Sequence, residues 1–351
     1  MGAYTSRDTF TNVTPGRIGR LCLLMGLLLA AASFASLFAG TAEISVTAVV
    51  HRYFPALPFL RGDLTEAEAA IITTVRLPRV VLAAVVGASL SVAGVVFQAL
   101  LRNPLADPYI LGISSGSAVG AVLGIITGAG AWSVGIPGLA FLGALAAVLV
   151  VFGIAGRDRR LEVNTLLLTG VMVNAFFSAV ILFIFSISDH LHLQRALHWI
   201  MGDLSLADQG GLSYTSLILV LGTVFLYLFS RPLNLLVMGE ETARQLGLAV
   251  ERTKLALLAA AALITAAAVS ASGTIGFVGL IIPHILRLAL GPDHRLLLPA
   301  AFFLGAAFLV TADTLARCLA APTELPVGVI TALCGAPYFL FLLRRRLRSS
   351  P

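Results

Sequence analysis

The chain has 351 residues, of which 58% are hydrophobic and 11% are charged, and its mean hydropathy is +0.98. Soluble domains carry about 25% charged residues, so this composition excludes an ordinary soluble protein and predicts an integral membrane protein. The formal net charge is +6. The basic residues are scattered between apolar runs, where they set membrane orientation, so we do not expect nucleic-acid binding.

The first half of the chain contains five predicted spans. Residues 1–20 are a polar N-terminal segment, and the apolar run Leu21–Ala39 is longer than the core of a secretory signal, so it is expected to be an uncleaved span. Gly40–Arg79 is polar, and within it Thr65–Val75 is predicted as a short helix at the membrane surface. The other spans are predicted at Val80–Leu101, in the run from Gly112 to Gly128, at Gly138–Ala155 and at Leu166–Ile187.

The third run carries a glycine at every fourth position. These residues are Gly112, Gly116, Gly120, Gly124 and Gly128. On a helix they share one face, which leaves a strip without side chains where another helix backbone can approach closely. We therefore expect this helix to be packed tightly against a neighbour.

A polar turn, Arg102–Pro108, separates the second and third spans. It holds two prolines, which lack a backbone N–H, and Asn103 and Asp107, whose side chains accept local hydrogen bonds. A compact, rigid turn is predicted. A stiff polar plug between two spans is a candidate gate.

The second half holds five more predicted spans. They lie at Leu212–Phe229, Leu255–Ser272, Gly276–Leu290, Leu297–Leu319 and Val327–Leu343, and Pro283 is expected to break the short Gly276–Leu290 run. Asp189–Gln209 carries His190, His192 and His198. The charged segment Arg231–Lys254 is predicted to form one or two short helices outside the membrane, ended by Gly247.

Ten crossings place both termini on one side of the membrane. Most of the 23 basic residues then fall on that side, and six fall on the other: Arg52, Arg61, Arg76, Arg79, Arg195 and Arg317. Positive charge marks the cytoplasmic side, so both termini are predicted to be cytoplasmic. The expected organisation is a single transmembrane domain, 21–343, with the N-terminal segment 1–20 and a basic tail, 344–351.

The sequence lacks the signatures of an ATPase or a metalloenzyme. Lys254 is the only lysine and no glycine-rich phosphate loop precedes it, so the chain has no Walker A motif. Cys22, Cys318 and Cys334 lie in apolar runs without metal-ligand spacing. We predict that the chain is not an enzyme, and that it binds no metal or other cofactor itself.

Asp313 is the notable acid within a span, and it stands four residues before Arg317. An i,i+4 ion pair is favoured over a proton relay at this position. An ion-coupled secondary transporter is kept as the alternative function, because such transporters bury acids on the ion path. Otherwise the energy must come from a cytoplasmic partner, for which Arg231–Lys254 is the natural contact.

Several ordered motifs are similar to those of FecCD-type permeases of ABC importers for ferric siderophores, haem and cobalamin. They are Arg76-Leu-Pro-Arg79, the stretch Phe97-Gln98-x-x-x-Arg102-Asn103-Pro104-Leu105-Ala106-Asp107-Pro108, Leu111-Gly112-Ile113-Ser114, Gly276–Arg287, Asp313-x-x-x-Arg317, and Pro322-x-Glu324-Leu325-Pro326-Val327-Gly328-Val329-x-Thr331 with Gly335-Ala336-Pro337. The resemblance spreads from residue 76 to residue 337.

The resemblance implies an all-α polytopic protein with the type II ABC importer permease fold and about ten transmembrane helices. A homodimer in the cytoplasmic (inner) membrane would form one path at its two-fold axis, in contact with membrane lipid. Two ABC ATPase subunits would hydrolyse ATP with magnesium, and a periplasmic or lipid-anchored binding protein would deliver a bulky metal chelate. Ferric siderophore, corrinoid and haem remain open as cargo, the first two ahead of haem.

The resemblance also implies roles for particular residues. Asn103 and Leu105 would form a cytoplasmic gate, although Asn103 also serves as a turn cap, and Arg76, Arg79 and Arg317 would dock the binding protein. The segment that presses on the ATPase would contain Gly239, Glu240, Ala243, Arg244, Leu246 and Gly247. Glu162–Thr165 occupies the place of a second gating turn, but its residues depart from the small polar ones expected there. Haem ligation by the three histidines is a further hypothesis.

Overall fold

The computed structural model describes residues 13–40, 44–53, 64–129, 135–156, 162–205 and 209–348, and every regular element in these ranges is helical. The helices are α1 Pro15–Phe38, α2 Val46–Tyr53, α3 Glu66–Ala70, α4 Leu77–Leu100, α5 Ile113–Ile126, α6 Gly135–Ala155, α7 Val163–Ile187, α8 His190–Ile200, α9 Gln209–Leu228, α10 Ser230–Met238, α11 Glu240–Gln245, α12 Val250–Ser272, α13 Val278–Leu290, α14 His294–Cys318 and α15 Val327–Arg348. The basic cluster at 157–160 and the two prolines at 55 and 58 lie outside the described residues.

All ten predicted spans correspond to helices. Six segments are long and apolar enough to cross a bilayer by themselves: α1, the continuous helix from Glu66 to Leu100, α6, α7, α12 and α14. The pair α9 and α10 qualifies together but bends by 54°. The shorter apolar helices α5, α13 and the Val327–Leu342 part of α15 account for the rest.

The prediction of a separate surface helix at Thr65–Val75 is wrong. Thr65 caps α3 and forms a capping box with Glu68, and the helix then continues through a π-helical turn, Ile71–Arg76, into α4. Pro78 lacks an N–H, so the helix register must change nearby, and a π turn makes this change without a break. The segment is therefore the first part of the second membrane helix.

Contacts between helix ends define the two ends of the bundle. Ser36, near the end of α1, accepts hydrogen bonds from Thr314 and Arg317 near the end of α14, so α1 and α14 run in the same direction. Arg79, at the start of α4, contacts Asp313, so α4 runs the opposite way. We call the end with Arg79 and Arg317 the distal end and the end with Arg17 and Asp293 the terminal end.

Small residues allow the central helices to cross closely. A Cβ atom at Gly87 of α4 would lie 2.3 Å from the Gly305 carbonyl oxygen of α14, and one at Gly94 would lie 2.0 Å from the Gly279 oxygen of α13. The glycine strip of α5 packs against α6, where a Cβ at Gly120 would lie 2.0 Å from the Leu139 oxygen. Such contacts suit helices in lipid, where backbone packing drives association.

The other members of the glycine row differ in their surroundings. Gly116 and Gly124 also face α6, whereas Gly112 begins α5 with φ of +75° and lies against Val173 of α7. Gly128 follows α5 with φ of +72° and has open space around it, so the close packing does not extend to it.

Candidate functional site

The turn after α4 is fixed by its own side chains. Asn103 Oδ1 accepts a hydrogen bond from the Leu105 backbone N–H at 3.0 Å, and Asp107 accepts from the Tyr109 N–H at 2.8 Å. Arg102 adopts φ of +49°, a left-handed conformation that reverses the chain at the end of the helix. Leu105 stays 57% exposed at the tip of the turn. The predicted compact turn is present, with an apolar side chain presented outward.

Tyr109 bonds this turn to the irregular connection, residues 273–277, between α12 and α13. Its hydroxyl donates to the Ile275 carbonyl at 2.9 Å and accepts from the Ile275 N–H at 3.0 Å. Burial raises the pKa of the hydroxyl, so it stays protonated and keeps donating. Burial also raises the pKa of Asp107 to about 6, although the Tyr109 N–H opposes this.

Helix α13 is not broken by Pro283, contrary to the prediction. A proline lacks the N–H that would bond to the carbonyl four residues earlier, which here belongs to Gly279. Gln98 of α4 supplies the missing donor, because its Nε2 lies 3.1 Å from the Gly279 oxygen. Gln98 Oε1 in turn accepts from Arg287 at 2.9 Å. The helix thus stays continuous, and its spare carbonyl is satisfied inside the protein.

The irregular connection 273–277 between α12 and α13 meets two other irregular segments, 201–205 after α8 and 319–326 before α15. Thr274 donates to the Ile200 carbonyl, and the Asp203 N–H donates to the Ser272 carbonyl at 2.8 Å. A Cβ at Gly328 would lie 2.3 Å from the Met201 oxygen, so these backbones touch. Irregular backbone in a membrane protein is tolerated where it is buried in protein or lines a water-filled cavity, as transport paths do.

Three arginines and two acids form a cluster at the distal end, which we call the distal charge cluster: Arg76, Arg79, Asp313, Arg317 and Glu324. Arg79 Nε lies 3.0 and 3.1 Å from the two Asp313 oxygens, and its Nη1 lies 2.6 Å from Glu324 Oε2. Arg317 Nε lies 3.2 Å from Asp313, so the predicted i,i+4 pair is confirmed. Other guanidinium nitrogens of the cluster bond to the end of α1 and to the residue after it. Arg317 donates to the Ser36 and Ala39 carbonyls, and Arg76 donates to the Leu37 carbonyl.

The distal charge cluster is largely buried. The exposed fraction is 5% for Arg76, 7% for Arg79 and 5% for Arg317, whereas the Glu324 side chain is 46% exposed. Asp313 is saturated by two guanidinium groups, which is unlike an acid that loads and releases protons. The arginines predicted to dock a partner therefore first join α1, α4 and α14 to one another, and Glu324 is the member that solvent reaches.

The charged segment at the terminal end forms α10 and α11, as predicted. Gly239, with φ of +137°, separates the two helices, and Gly247, with φ of +85°, follows the second. Ala243 is fully buried, while Leu246 is 63% exposed. Lys254 of α12 donates to Glu240 at 3.0 Å, and Arg244 donates to Glu251 at 3.1 Å. Ion pairs to α12 thus hold α11 in place with an apolar residue outward.

Helix α10 is bonded to two other parts of the terminal end. Arg102, in the turn after α4, donates to the Leu236 carbonyl at 3.2 Å. Asn234 donates to Asp293 at 2.9 Å and accepts from the backbone N–H of His294 at 2.9 Å. Burial alone would raise the pKa of Asp293, but hydrogen bonds from Arg295 and Asn234 hold it below its usual range, so Asp293 stays ionised. Movement of α10 would therefore reach both the turn and α14.

Helices α7 and α15 leave broad apolar faces uncovered. Ten large apolar residues on these helices are more than half exposed. They are Leu168, Val171, Met172, Phe176, Leu182, Phe183 and Ile187 on α7, and Leu333, Leu340 and Phe341 on α15. Only 28% of the most apolar window of α7 is buried, against 83% for the Glu66–Leu100 helix. These faces are available for a second subunit, a passing ligand or lipid.

The histidine segment forms the amphipathic helix α8. His192 pairs with its N-cap residue Asp189 at 2.9 Å, and His198 Nε2 lies 3.5 Å from Asp203. The described residues contain no group of three or more His, Cys, Asp or Glu side chains placed to hold a metal ion. At the predicted second gating turn, Glu162 precedes α7 and accepts from the Thr165 hydroxyl at 3.0 Å.

Several residues that organise these regions had been given no role from the sequence. Gln98, Tyr109, Asn234 and Glu324 all act through partners more than 50 positions away in the chain. For Gln98 a signal was available, since a helix proline at 283 frees one carbonyl and a polar residue in an apolar span is a natural partner. For the others, no local pattern identifies the partner.

Residues 28–345 match the FecCD transport family. The chain belongs to the FecCD transport family. It is a multi-pass membrane permease of the kind that serves ABC importers.

Relatives of known name cover most of the chain. The cobalamin import system permease protein BtuC of Halobacterium salinarum is 48% identical over 82% of this chain and 77% of its own length. The hemin transport system permease protein HmuU of Yersinia pestis is 43% identical over 78% of this chain and 82% of its own. The vitamin B12 import system permease protein BtuC of Salmonella arizonae is 37% identical over 97% and 98%.

A solved structure supports the same fold. A metal-chelate type ABC transporter in an inward-facing conformation is 31% identical and superposes with a TM-score of 0.82, covering 93% of this chain and 99% of the other. The fold class predicted from the sequence, an all-α permease of this importer type, is confirmed.

Proposed function

We propose that this chain is the membrane permease subunit of an ATP-driven importer that carries a bulky metal chelate into the cytoplasm, with a corrinoid or a ferric siderophore ahead of haem. The observation that carries the proposal is the family match over residues 28–345, joined to 48% identity with a cobalamin permease. Named relatives for cobalamin and for hemin share a cargo class, a large chelated metal, and this favours that class here.

The path is proposed to run between two copies of this chain. The interface is assigned to the apolar faces of α7 and α15 that the chain itself leaves uncovered, and a two-fold interface would bury the same face of both subunits. The irregular segments that meet near Ile275 border α8 and α15 and would line the path. A wide path between subunits needs few specific contacts, which suits a cargo selected by a separate binding protein.

The gate and the contact with the ATPase that opens and closes it are both proposed to lie at the terminal end, on the cytoplasmic side. Leu105 and Asn103 of two copies would close the path across the two-fold axis. Gly239, Glu240, Ala243, Arg244, Leu246 and Gly247 would form the contact with two ABC ATPase subunits, which hold ATP and magnesium. The bonds of α10 to the gate turn and to α14 give a physical route from that contact to the path.

The distal charge cluster is proposed to receive the periplasmic or lipid-anchored binding protein. Its arginines pair with carboxylates in this structure, and an acidic surface on the partner would orient the encounter by the same kind of charge pairing. Docking at Arg76, Arg79 and Arg317 would act directly on α1, α4 and α14. With the inner membrane as its location and both termini cytoplasmic, this end faces outward.

Competitive uptake identifies the cargo. Cells that lack their own corrinoid, siderophore and haem permeases would express this chain with its ATPase and binding protein, and accumulation of labelled cobalamin, ferric siderophores and haem would be measured. We expect one chelate to accumulate and unlabelled chelate of the same class to suppress it. Failure of all three, with the complex assembled in the membrane, would contradict the proposal.

A further inference from the structure

A groove at the terminal end lies between the start of α1, the end of α13 and the start of α14. It encloses about 260 Å³ and is lined by two arginines and four leucines: Arg17, Arg20, Leu21, Leu24, Leu290 and Leu296. The arginines stand at one end of a membrane helix and the leucines continue toward its apolar part. The groove therefore has a charged end and an apolar end.

The charged end has no neutralising partner within the part of the chain that the structure describes. Neither Arg17 nor Arg20 forms an ion pair there, whereas the neighbouring Arg295 is paired with Asp293 at 2.6 Å. Arg287, near the end of α13, is also basic and donates to Gln98. Two unneutralised guanidinium groups side by side favour an anion, and arginine binds phosphate with particular strength.

The apolar end continues onto the outer surface of α1. Leu23, Leu24, Leu27 and Leu28 are each 47–64% exposed, and only 6% of the apolar window of α1 is buried. An acyl chain that entered the groove at Leu21 and Leu24 would continue along this face. A free phosphate ion would gain nothing from the four leucines.

We propose that the groove binds an anionic phospholipid of the leaflet at the terminal end. The phosphate lies between Arg17 and Arg20, and one acyl chain follows Leu21, Leu24 and Leu290, with the buried Leu296 beneath it. Basic pockets between membrane helices are suited to such headgroups. Because Leu296 lies in the first turn of α14, which Asp293 caps and which carries Asp313, the lipid would brace the helix that joins both ends of the molecule.

The test is thermal unfolding of the full-length permease in detergent with added lipid. We expect phosphatidylglycerol to raise the unfolding midpoint more than phosphatidylcholine with the same acyl chains, and inorganic phosphate to leave it unchanged. The double variant Arg17→Gln/Arg20→Gln should weaken phosphatidylglycerol binding roughly 30-fold, which corresponds to about 2 kcal/mol at 1.4 kcal/mol per tenfold.

Controls separate a built site from general charge attraction. Arg231→Gln/Arg344→Gln removes two exposed arginines outside the groove and should leave the lipid effect intact. Arg17→Lys/Arg20→Lys keeps the charge and should retain most of it, which guards against a folding defect in the glutamine variant. An equal effect of phosphatidylcholine, an equal effect of inorganic phosphate, or an undiminished effect in the Arg17→Gln/Arg20→Gln variant would overturn the proposal.

Discussion

Arg79 is shared between a buried and an exposed carboxylate. Asp313 is 1% exposed and holds one side of the guanidinium, while Glu324 holds Nη1 from a position that solvent reaches. The buried pair fixes the arginine, because removing either member would leave an uncompensated charge inside the protein. The exposed pair is the replaceable one, since such pairs contribute about 1 kcal/mol or less.

Replacing Glu324 should therefore strengthen docking of a binding protein. In the Glu324→Gln variant an incoming carboxylate no longer competes for Arg79, and we expect up to about fivefold tighter binding of the chain's own binding protein at low salt. Surface plasmon resonance on the reconstituted permease measures this change. Glu66→Gln, a charge-matched change at the same end, should have a smaller effect. Weaker binding of Glu324→Gln would contradict docking at Arg79.

Asp107 should make the stability of the turn Arg102–Pro108 depend on pH. Its pKa of about 6 in the folded protein lies above the usual 3.8, so the folded state retains a proton that the unfolded chain releases. This contribution to stability is present below about pH 4 and is lost as pH rises to about 6, by at most about 3 kcal/mol for the partly buried side chain. Asp107→Asn keeps the acceptor for Tyr109 without a charge.

Unfolding midpoints of Asp107→Asn and the parent protein should thus diverge between about pH 4 and pH 6, with the variant more stable at the upper end. Asp189→Asn provides a control of opposite sign. The backbone N–H of His192 lowers the pKa of Asp189, so its contribution to stability is present above about pH 4 and is lost at lower pH. Between about pH 4 and pH 6 the midpoint of Asp189→Asn should therefore lie below that of the parent protein by a nearly constant amount. Parallel curves for Asp107→Asn and the parent would show that Asp107 is not held protonated.

At the scale of elements, the close helix crossings determine which glycines can be replaced by a larger residue. A Cβ at Gly120 would meet the Leu139 carbonyl oxygen at 2.0 Å, and a backbone atom cannot rotate away. Gly120→Ala must therefore separate α5 from α6, at a cost of about 1–3 kcal/mol. Gly153→Ala, at a position on α6 with no atom within 4 Å, should be neutral or slightly stabilising. Equal unfolding midpoints in detergent would contradict the packing.

Asn234 should transmit force from α10 to α14. Asn234→Ala removes its hydrogen bonds to Asp293 and His294 and leaves the ion pair of Asp293 with Arg295 in place. We expect a loss of about 0.5–2 kcal/mol of coupling, seen as weaker stimulation of ATP hydrolysis by the loaded binding protein in the assembled importer. Arg344→Ala, a change at an exposed residue outside the Arg231–Lys254 segment, should leave stimulation intact. Unaltered stimulation in Asn234→Ala would remove this route.

For the whole molecule, the sequence predicted what depends on local composition. Each of the ten predicted spans corresponds to a helix because long apolar runs, most of them near the roughly 20 residues needed to cross a bilayer, are visible in the sequence. The helices α10 and α11 were predicted because charged residues and helix formers interrupt those runs. The extended second helix was missed because a π turn at Ile71–Arg76 has no clear sequence signal. The Asn234 and Tyr109 contacts were missed because they join residues far apart in the chain.

The two ends of the molecule are joined by rigid elements. Helix α14 begins at the α10 contact through Asp293 and ends in the distal charge cluster, and α4 runs beside it from Arg79 to the turn Arg102–Pro108. A binding protein at one end and an ATPase at the other would therefore act on the same two helices. This arrangement suits a conduit that is driven from outside rather than a self-powered pump.

Uptake by reconstituted vesicles tests this central claim most directly. With the partner ATPase on the cytoplasmic face and the loaded binding protein on the other, chelate accumulation should require ATP on the ATPase side and survive collapse of the proton gradient by an ionophore. Accumulation of the chelate by the chain alone, driven by an ion gradient and without nucleotide, would contradict it.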